Sequence, residues 1–199
     1  EPNWGSPTSP RAAASTLWAS ADSLKKYDVV LLACEGTDEG PNAKPDAAKI
    51  ALYDYAKAGG RVFASHYHNQ WFSKFPTGTD PAVAQVASWA DPENVPPGSP
   101  TPATTSVDAQ ITGTFPKAIA MRSWLAAQGA LNAGALPLFD ARHNVNAAGA
   151  SALEWISLAN AKSQPTPGAK AVQYMTFNTP IGAADDAVCG RVVFSNLHV

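Results

Sequence analysis

Asp28-Val29-Val30-Leu31-Leu32-Ala33-Cys34 and, one helix further on, Gly59-Gly60-Arg61-Val62-Phe63-Ala64-Ser65-His66 are the two stretches that decide the fold class. Each is a short, almost unbroken apolar run, as expected of a strand covered on both faces in a parallel sheet. Between them Pro45 and Asp46 start a helix. Proline at the first helical position gives up no hydrogen bond, and an acidic side chain there meets the positive end of the helix dipole. That helix carries Ile50, Leu52, Tyr53 and Tyr55, and Gly59-Gly60 stop it by supplying a left-handed turn. Strand, polar loop (35–44), helix, Gly-Gly and strand together make a right-handed βαβ crossover. The chain is therefore expected to be α/β with a mainly parallel sheet.

Outward from this unit the signals are weaker. Residues 1–14 are rich in Pro, Ser, Ala and Gly and read as a loop, after which Ser15 is expected to cap a helix through Leu17, Trp18, Ala21 and Leu24. On the other side lies a proline-rich insertion at about 76–110. There Pro92, Pro96, Pro97, Pro100 and Pro102 forbid regular structure, apart from a short helix through Val83, Val86 and Trp89. A helix is expected over 115–128, with Ile119, Met121, Trp124 and Leu125 at helical spacing and Gly129 at its end. The tail is strand-like, with candidates at 140–145, 152–156, 170–177 and 191–195. Asn196-Leu197-His198 follow the last of these. All of this fits a single domain over 1–199.

Composition excludes some functions. The chain has 199 residues, 45% of them hydrophobic and 15% charged, and a formal net charge of −2, with no basic cluster to follow a nucleic-acid backbone. No apolar run reaches the length needed to span a bilayer. Seventeen prolines, only four histidines and abundant small residues match the habit of exported bacterial proteins, and the expected location is extracytoplasmic: periplasmic, cell-surface or secreted. The two cysteines, Cys34 and Cys189, are a disulfide in an oxidising compartment, two buried free thiols, or each the partner of a cysteine outside this segment. Glu1 begins neither a signal peptide nor an initiator segment, and Val199 directly follows an apolar strand, so the sequence reads as a piece of a longer chain.

Ligands of open α/β sheets bind beyond the carboxyl ends of the strands, which singles out the residues there. They are Cys34 and Glu35 after the first strand, then His66, Tyr67, His68, Asn69 and Trp71 after the second, with Asn196 and His198 after the last. His66 and His68 form a His-x-His pair that, with His198 or Glu35, has the donor types for zinc or another divalent cation. The alternative is that His66 bonds neighbouring backbone and His68 packs on Trp71. Trp71 either stacks on a sugar face or plugs the cleft. His143 either reaches the same cleft or lies in a surface loop. Ser65 precedes His66 but points the other way, and no Gly-x-Ser-x-Gly or Gly-x-Cys-x-Gly elbow occurs. A Cys34/His66/Glu35 triad is the remaining nucleophilic arrangement.

The segments 27–32 and 52–66 resemble the core of the trehalose-utilisation (ThuA-like) family, which belongs to the class I glutamine amidotransferase-like superfamily. In that family a Gly-Gly turn leads into a strand ending at a histidine, matched here by Gly59, Gly60 and His66. A late Gly-Arg-Val-aromatic strand ends near another histidine, matched by Gly190-Arg191-Val192-Val193-Phe194 and His198. The resemblance covers about 27–67 and 171–198, and the middle does not align. It implies a flavodoxin-like three-layer sandwich whose first, normally central, strand is missing from this segment, since nothing before Trp18 can supply it. Upstream residues are therefore expected in the natural protein. His66 takes the place of the amidotransferase nucleophile, and no glutamate follows His198, so the resemblance implies no glutaminase activity. The polar run from His66 through Trp71 departs from the family pattern. The chain is also similar to large exported bacterial proteins in which such a domain follows small β-rich modules. Other domains of one longer chain would then be its partners.

The function expected from these residues is a non-catalytic binding or surface-assembly module with a degenerate amidotransferase-like cleft. Carbohydrate, or another surface ligand, would be held by His66, His68, Asn69, Trp71, His198 and Glu35. The alternative is a hydrolase- or isomerase-type enzyme acting on a sugar-like substrate. His66, His198 and Glu35 would be its catalytic groups, and His66, His68 and His198 its metal ligands.

Overall fold

A computed structural model describes residues 13–33, 35, 40–90, 106–139, 141–159 and 170–197. The strands are β1 (Val29–Leu32), β2 (Arg61–Ser65), β3 (Ala87–Trp89), β4 (Val107–Ile111), β5 (Leu136–Leu138), β6 (Val145–Ala148), β7 (Ala152–Leu158), β8 (Ala171–Thr179) and β9 (Gly190–Ser195). The helices are α1 (Ala21–Leu24), α2 (Asp46–Lys57), α3 (Gln70–Ser73), α4 (Pro81–Ala84) and α5 (Pro116–Ala127). The fold is mixed α/β.

Seven strands form one sheet in the order β1-β2-β9-β8-β7-β4-β5, and β3 and β6 form a separate two-stranded ribbon. β1, β2 and β9 run parallel, with Leu31 opposite Phe63 and Phe63 opposite Val193. From β9 onward every pairing is antiparallel. The sheet is thus parallel where the βαβ unit builds it and antiparallel where the tail extends it.

α2 forms where Pro45 and Asp46 predict it, and Gly59 closes it at φ +105°. Its buried Leu52, Tyr55 and Ala56 join Val30, Leu32, Val62, Ala64, Val192 and Phe194 in the larger core. α2 meets the start of β9 closely. A Cβ on Gly190 would lie 1.9 Å from Ala56 O, which is also the acceptor for Thr179 Oγ1 at 2.7 Å. A second, smaller core joins Ala109, Ile111, Ile156 and Leu158 to Met121 and Leu125 of α5. β8 feeds both cores, sending Met175 and Phe177 to the first and Tyr174 to the second, so they lie on opposite faces of the sheet.

Several local expectations change. Ser20, not Ser15, caps the first helix, accepting from Ser23 N at 3.2 Å; α1 is a single turn, and Leu17 and Trp18 precede it. Val86 and Trp89 do not continue a helix with Val83. α4 ends at Ala84, and Ala87–Trp89 is the strand that pairs with β6. The candidate strand at 140–145 begins only at Val145, because Arg142 and His143 are held by β8 and by Asn146 instead of a ladder. β4 emerges from the end of the proline-rich insertion, where it pairs with β7; residues 91–105 of that insertion lie outside the described residues. β1 is covered on one face only: Val30 and Leu32 are buried, while Val29 and Leu31 are 47% and 72% exposed. In α5, Ile119 and Trp124 face outward, and Ala118, Met121 and Leu125 do the packing.

Candidate functional site

The carboxyl ends of β2 and β9 lie side by side, with Ser65 opposite Ser195, so His66 and Asn196 leave the sheet as neighbours. Ser65 is not free to act as a nucleophile, since its hydroxyl donates to Leu32 O at 3.1 Å and ties β2 to β1. His66 then takes φ +38°, in the left-handed region that L side chains seldom occupy. This turns the chain sharply into a 3-10 turn, His66–Asn69, and on into α3. His66 is buried, and its ring lies against that of Tyr67, with centroids 3.8 Å apart.

The remaining polar residues after β2 divide between two sides. On the β1 side, Trp71 Nε1 donates to His68 Nδ1 at 2.9 Å, and the other ring nitrogen, Nε2, donates to Ala33 O at 2.6 Å. Both nitrogens are therefore occupied in a neutral ring. Burial pushes the His68 pKa down, and the Ala33 carbonyl opposes that shift. Trp71 is 1% exposed and stands edge-on to Trp18, with Lys44 Nζ 5.0 Å from the Trp18 ring and 5.9 Å from its own. Lys44 Nζ is also paired with the Glu35 carboxylate. Gln70 completes the lashing: its Oε1 accepts from Lys44 N at 2.9 Å and its Nε2 donates to Asn42 O at 3.2 Å. His68, Gln70, Trp71, Lys44 and Glu35 thus hold the segment after β1 against the turn after β2. Of the alternatives open for His68 and Trp71, packing is the one observed.

On the β9 side the polar groups are less committed. Asn69 is buried, and neither its Oδ1 nor its Nδ2 finds a hydrogen-bond partner. Its turn packs against β9. Asn196 N donates to Gln173 O at 2.8 Å, setting these two residues together on the β8–β9 pair. Gln173 Nε2 reaches Arg142 O at 2.7 Å, which brings in the segment 142–144. His143 is buried there, with Nε2 at 2.9 Å from Asn146 Oδ1, and is no surface-loop residue. Buried oxygens of Asn144, Gln173 and Asn196 also lack partners. Unsatisfied buried polar atoms are rare in folded proteins, and Gln173 and Asn196, set side by side on the β8–β9 pair, both carry them.

Among the described residues no three His, Cys, Asp or Glu side chains are grouped to hold a metal ion. His198 and Cys34, expected as ligand and nucleophile, lie outside the described residues. Cys189 is an exposed free thiol that donates to Lys57 O at 3.1 Å. Gln173 was overlooked in the sequence, although a signal existed. It alternates with Met175 and Phe177 on an otherwise apolar face of β8, where an uncompensated polar group is costly.

Comparison with protein-family models, with curated proteins and with solved structures gave no match.

Proposed function

We propose that the protein is a non-catalytic, extracytoplasmic binding module with a flavodoxin-like, class I glutamine amidotransferase-like fold. Its ligand would be a small polar molecule at the ends of β2 and β9. The observation that carries this reading is the buried Asn69, with both amide atoms unpaired, next to His66 on its left-handed backbone. His66 stands where the resemblance puts a nucleophilic cysteine, and imidazole cannot form the thioester that glutamine hydrolysis needs there. What remains is a strained turn and a set of hydrogen-bonding groups, which suit recognition. The stacking route to carbohydrate through Trp71 loses its support, because that indole is enclosed by Trp18, Lys44 and His68.

The test is a thermal-shift screen of small polar compounds: saccharides, sugar acids, amino acids and nucleotides. The wild type is run beside Asn69→Ala, with glutamine hydrolysis measured in parallel. At least one compound should raise Tm in the wild type and not in the variant. A screen with no hits, or hits that ignore the variant, sinks the binding reading, and glutamine turnover would contradict it outright.

One observation favours a second reading. Strained backbone gathers at catalytic positions, so His66 at φ +38° also suits a general acid or base of a sugar-directed hydrolase or isomerase. His68 would take no part, since both of its ring nitrogens are engaged. A zinc-dependent form would need His66 together with ligands such as His198. Stoichiometric zinc in the purified protein that disappears in His66→Ala would put this reading ahead.

A further inference from the structure

Trp71 is enclosed, but Trp18, which meets it edge-on with ring centroids 5.4 Å apart, is only half-buried. Trp18 lines a cavity of about 230 Å³ between the chain before α1 and the start of α2. Ser15, Lys44 and the small residues Ala43, Ala47 and Ala48 also line it. None of these belongs to the turn after β2 or to the end of β9. An apolar cavity of about 150 Å³ holds benzene, so this one has room for one ring or two fused rings. Its charges are already balanced. Lys44 Nζ is paired with the Glu35 carboxylate, and Asp46 sets its own carboxylate in the first turn of α2, where a ligand anion would otherwise be favoured. The alanine side chains offer no hydrogen bonds, so a ligand with a hydroxyl on most of its carbons would lose bonds to water there without replacing them.

The geometry points to a binding site in this cavity, separate from the ends of β2 and β9, that takes a neutral aromatic ring. A flat ring buries apolar area against Trp18 and the alanines without stranding polar groups. Its negative face also suits the Lys44 ammonium, which stands 5.0 Å from the Trp18 ring centroid and 5.9 Å from that of Trp71. A saturated ring of the same size lacks that face. A carboxylate meets no uncompensated cation, and a sugar has more hydroxyls than Ser15 and Lys44 can serve. A phenol or an indole is such a ring, whether free in solution or carried as the side chain of a peptide.

The experiment is an NMR titration of the 15N-labelled full chain with phenol, indole, cyclohexanol, benzoate and methyl glucoside. Phenol and indole should shift the indole N–H signal of Trp18 and the main-chain signals of Ala47 and Ala48. Cyclohexanol, benzoate and methyl glucoside should bind at least about tenfold more weakly, the worth of one aromatic contact. Trp18→Ala should weaken phenol by about the same factor. Because Trp18 also packs on the larger core, Ala47→Leu is run beside it. Ala47 is exposed, so leucine there keeps the fold while filling the cavity, and it should weaken phenol about tenfold. N-acetyltyrosinamide binding more tightly than phenol assigns the ring to a peptide side chain, and the reverse order to a free compound; the ring chemistry stands in both. Equal or tighter binding of cyclohexanol, benzoate or methyl glucoside would overturn the inference. So would binding that ignores Ala47→Leu, or no shift at Trp18, Ala47 and Ala48.

Discussion

Trp71 Nε1 donates to His68 Nδ1 across 2.9 Å, and that bond decides what the imidazole can do. With Nδ1 accepting, the proton sits on Nε2 and is spent on Ala33 O. A histidine that looks like a metal ligand or a base by its place in the sequence is, in the fold, a bridge between the β1 and β2 ends.

This bridge predicts a pH dependence. Burial lowers the His68 pKa, so the unfolded chain binds its proton more readily than the folded one. The stabilisation is complete above the unfolded value of about 6.5 and is lost as pH falls below it towards the depressed folded value. His68→Gln should lower Tm at neutral pH, and its gap to the wild type should narrow on acidification to about pH 5.5. Thermal melts across this range check it; a constant gap would mean His68 is not held neutral.

His66 offers a test of backbone strain. At φ +38° an alanine keeps the penalty of an L side chain, whereas glycine does not. Both substitutions remove the imidazole, so His66→Gly should be more stable than His66→Ala by about 1 kcal/mol, the reverse of the usual order. Urea unfolding of the pair measures it, and alanine proving the more stable would remove the strain argument.

Gly190 is fixed by contact, since its φ is not in the left-handed region. A Cβ there would stand 1.9 Å from Ala56 O and 2.5 Å from Thr179 Oγ1, and neither can retreat without opening the α2–β9 packing. Gly190→Ala should cost about 3 kcal/mol or prevent folding. A loss below about 1 kcal/mol in denaturant unfolding would show that α2 shifts easily.

Cys189 should alkylate in the native protein without reductant, because its thiol is exposed. It precedes β9, whereas Ala33 follows β1 at the opposite end of the parallel strands, about 20 Å away at strand rise. Peptide mapping after iodoacetamide treatment checks this; a recovered peptide joining Cys34 to Cys189 would contradict it.

The helix from Asp46 to Lys57 was legible because its signals are local. Proline and aspartate open it, glycine closes it, and apolar residues recur along it. The strand at 87–89 was not, since Val83, Val86 and Trp89 fit helical spacing equally well. Only pairing with β6 settles the matter, through partners such as Ala148, which is distant in sequence. For the same reason the antiparallel half of the sheet was only partly visible.

In the candidate site, the sequence by itself placed His66, Asn69 and Asn196 beyond strand ends, because apolar runs mark where strands stop. It also placed the break at Gly59-Gly60, where a left-handed turn demands glycine. Tertiary structure alone decided that His68 and Trp71 spend their polar atoms on each other and on Ala33. It likewise brought Gln173 against segment 142–144 and beside Asn196 at the end of β9. The reason is physical: a hydrogen bond's partner is fixed by strand register and chain crossing, whereas the residue's own sequence neighbourhood fixes only its local backbone.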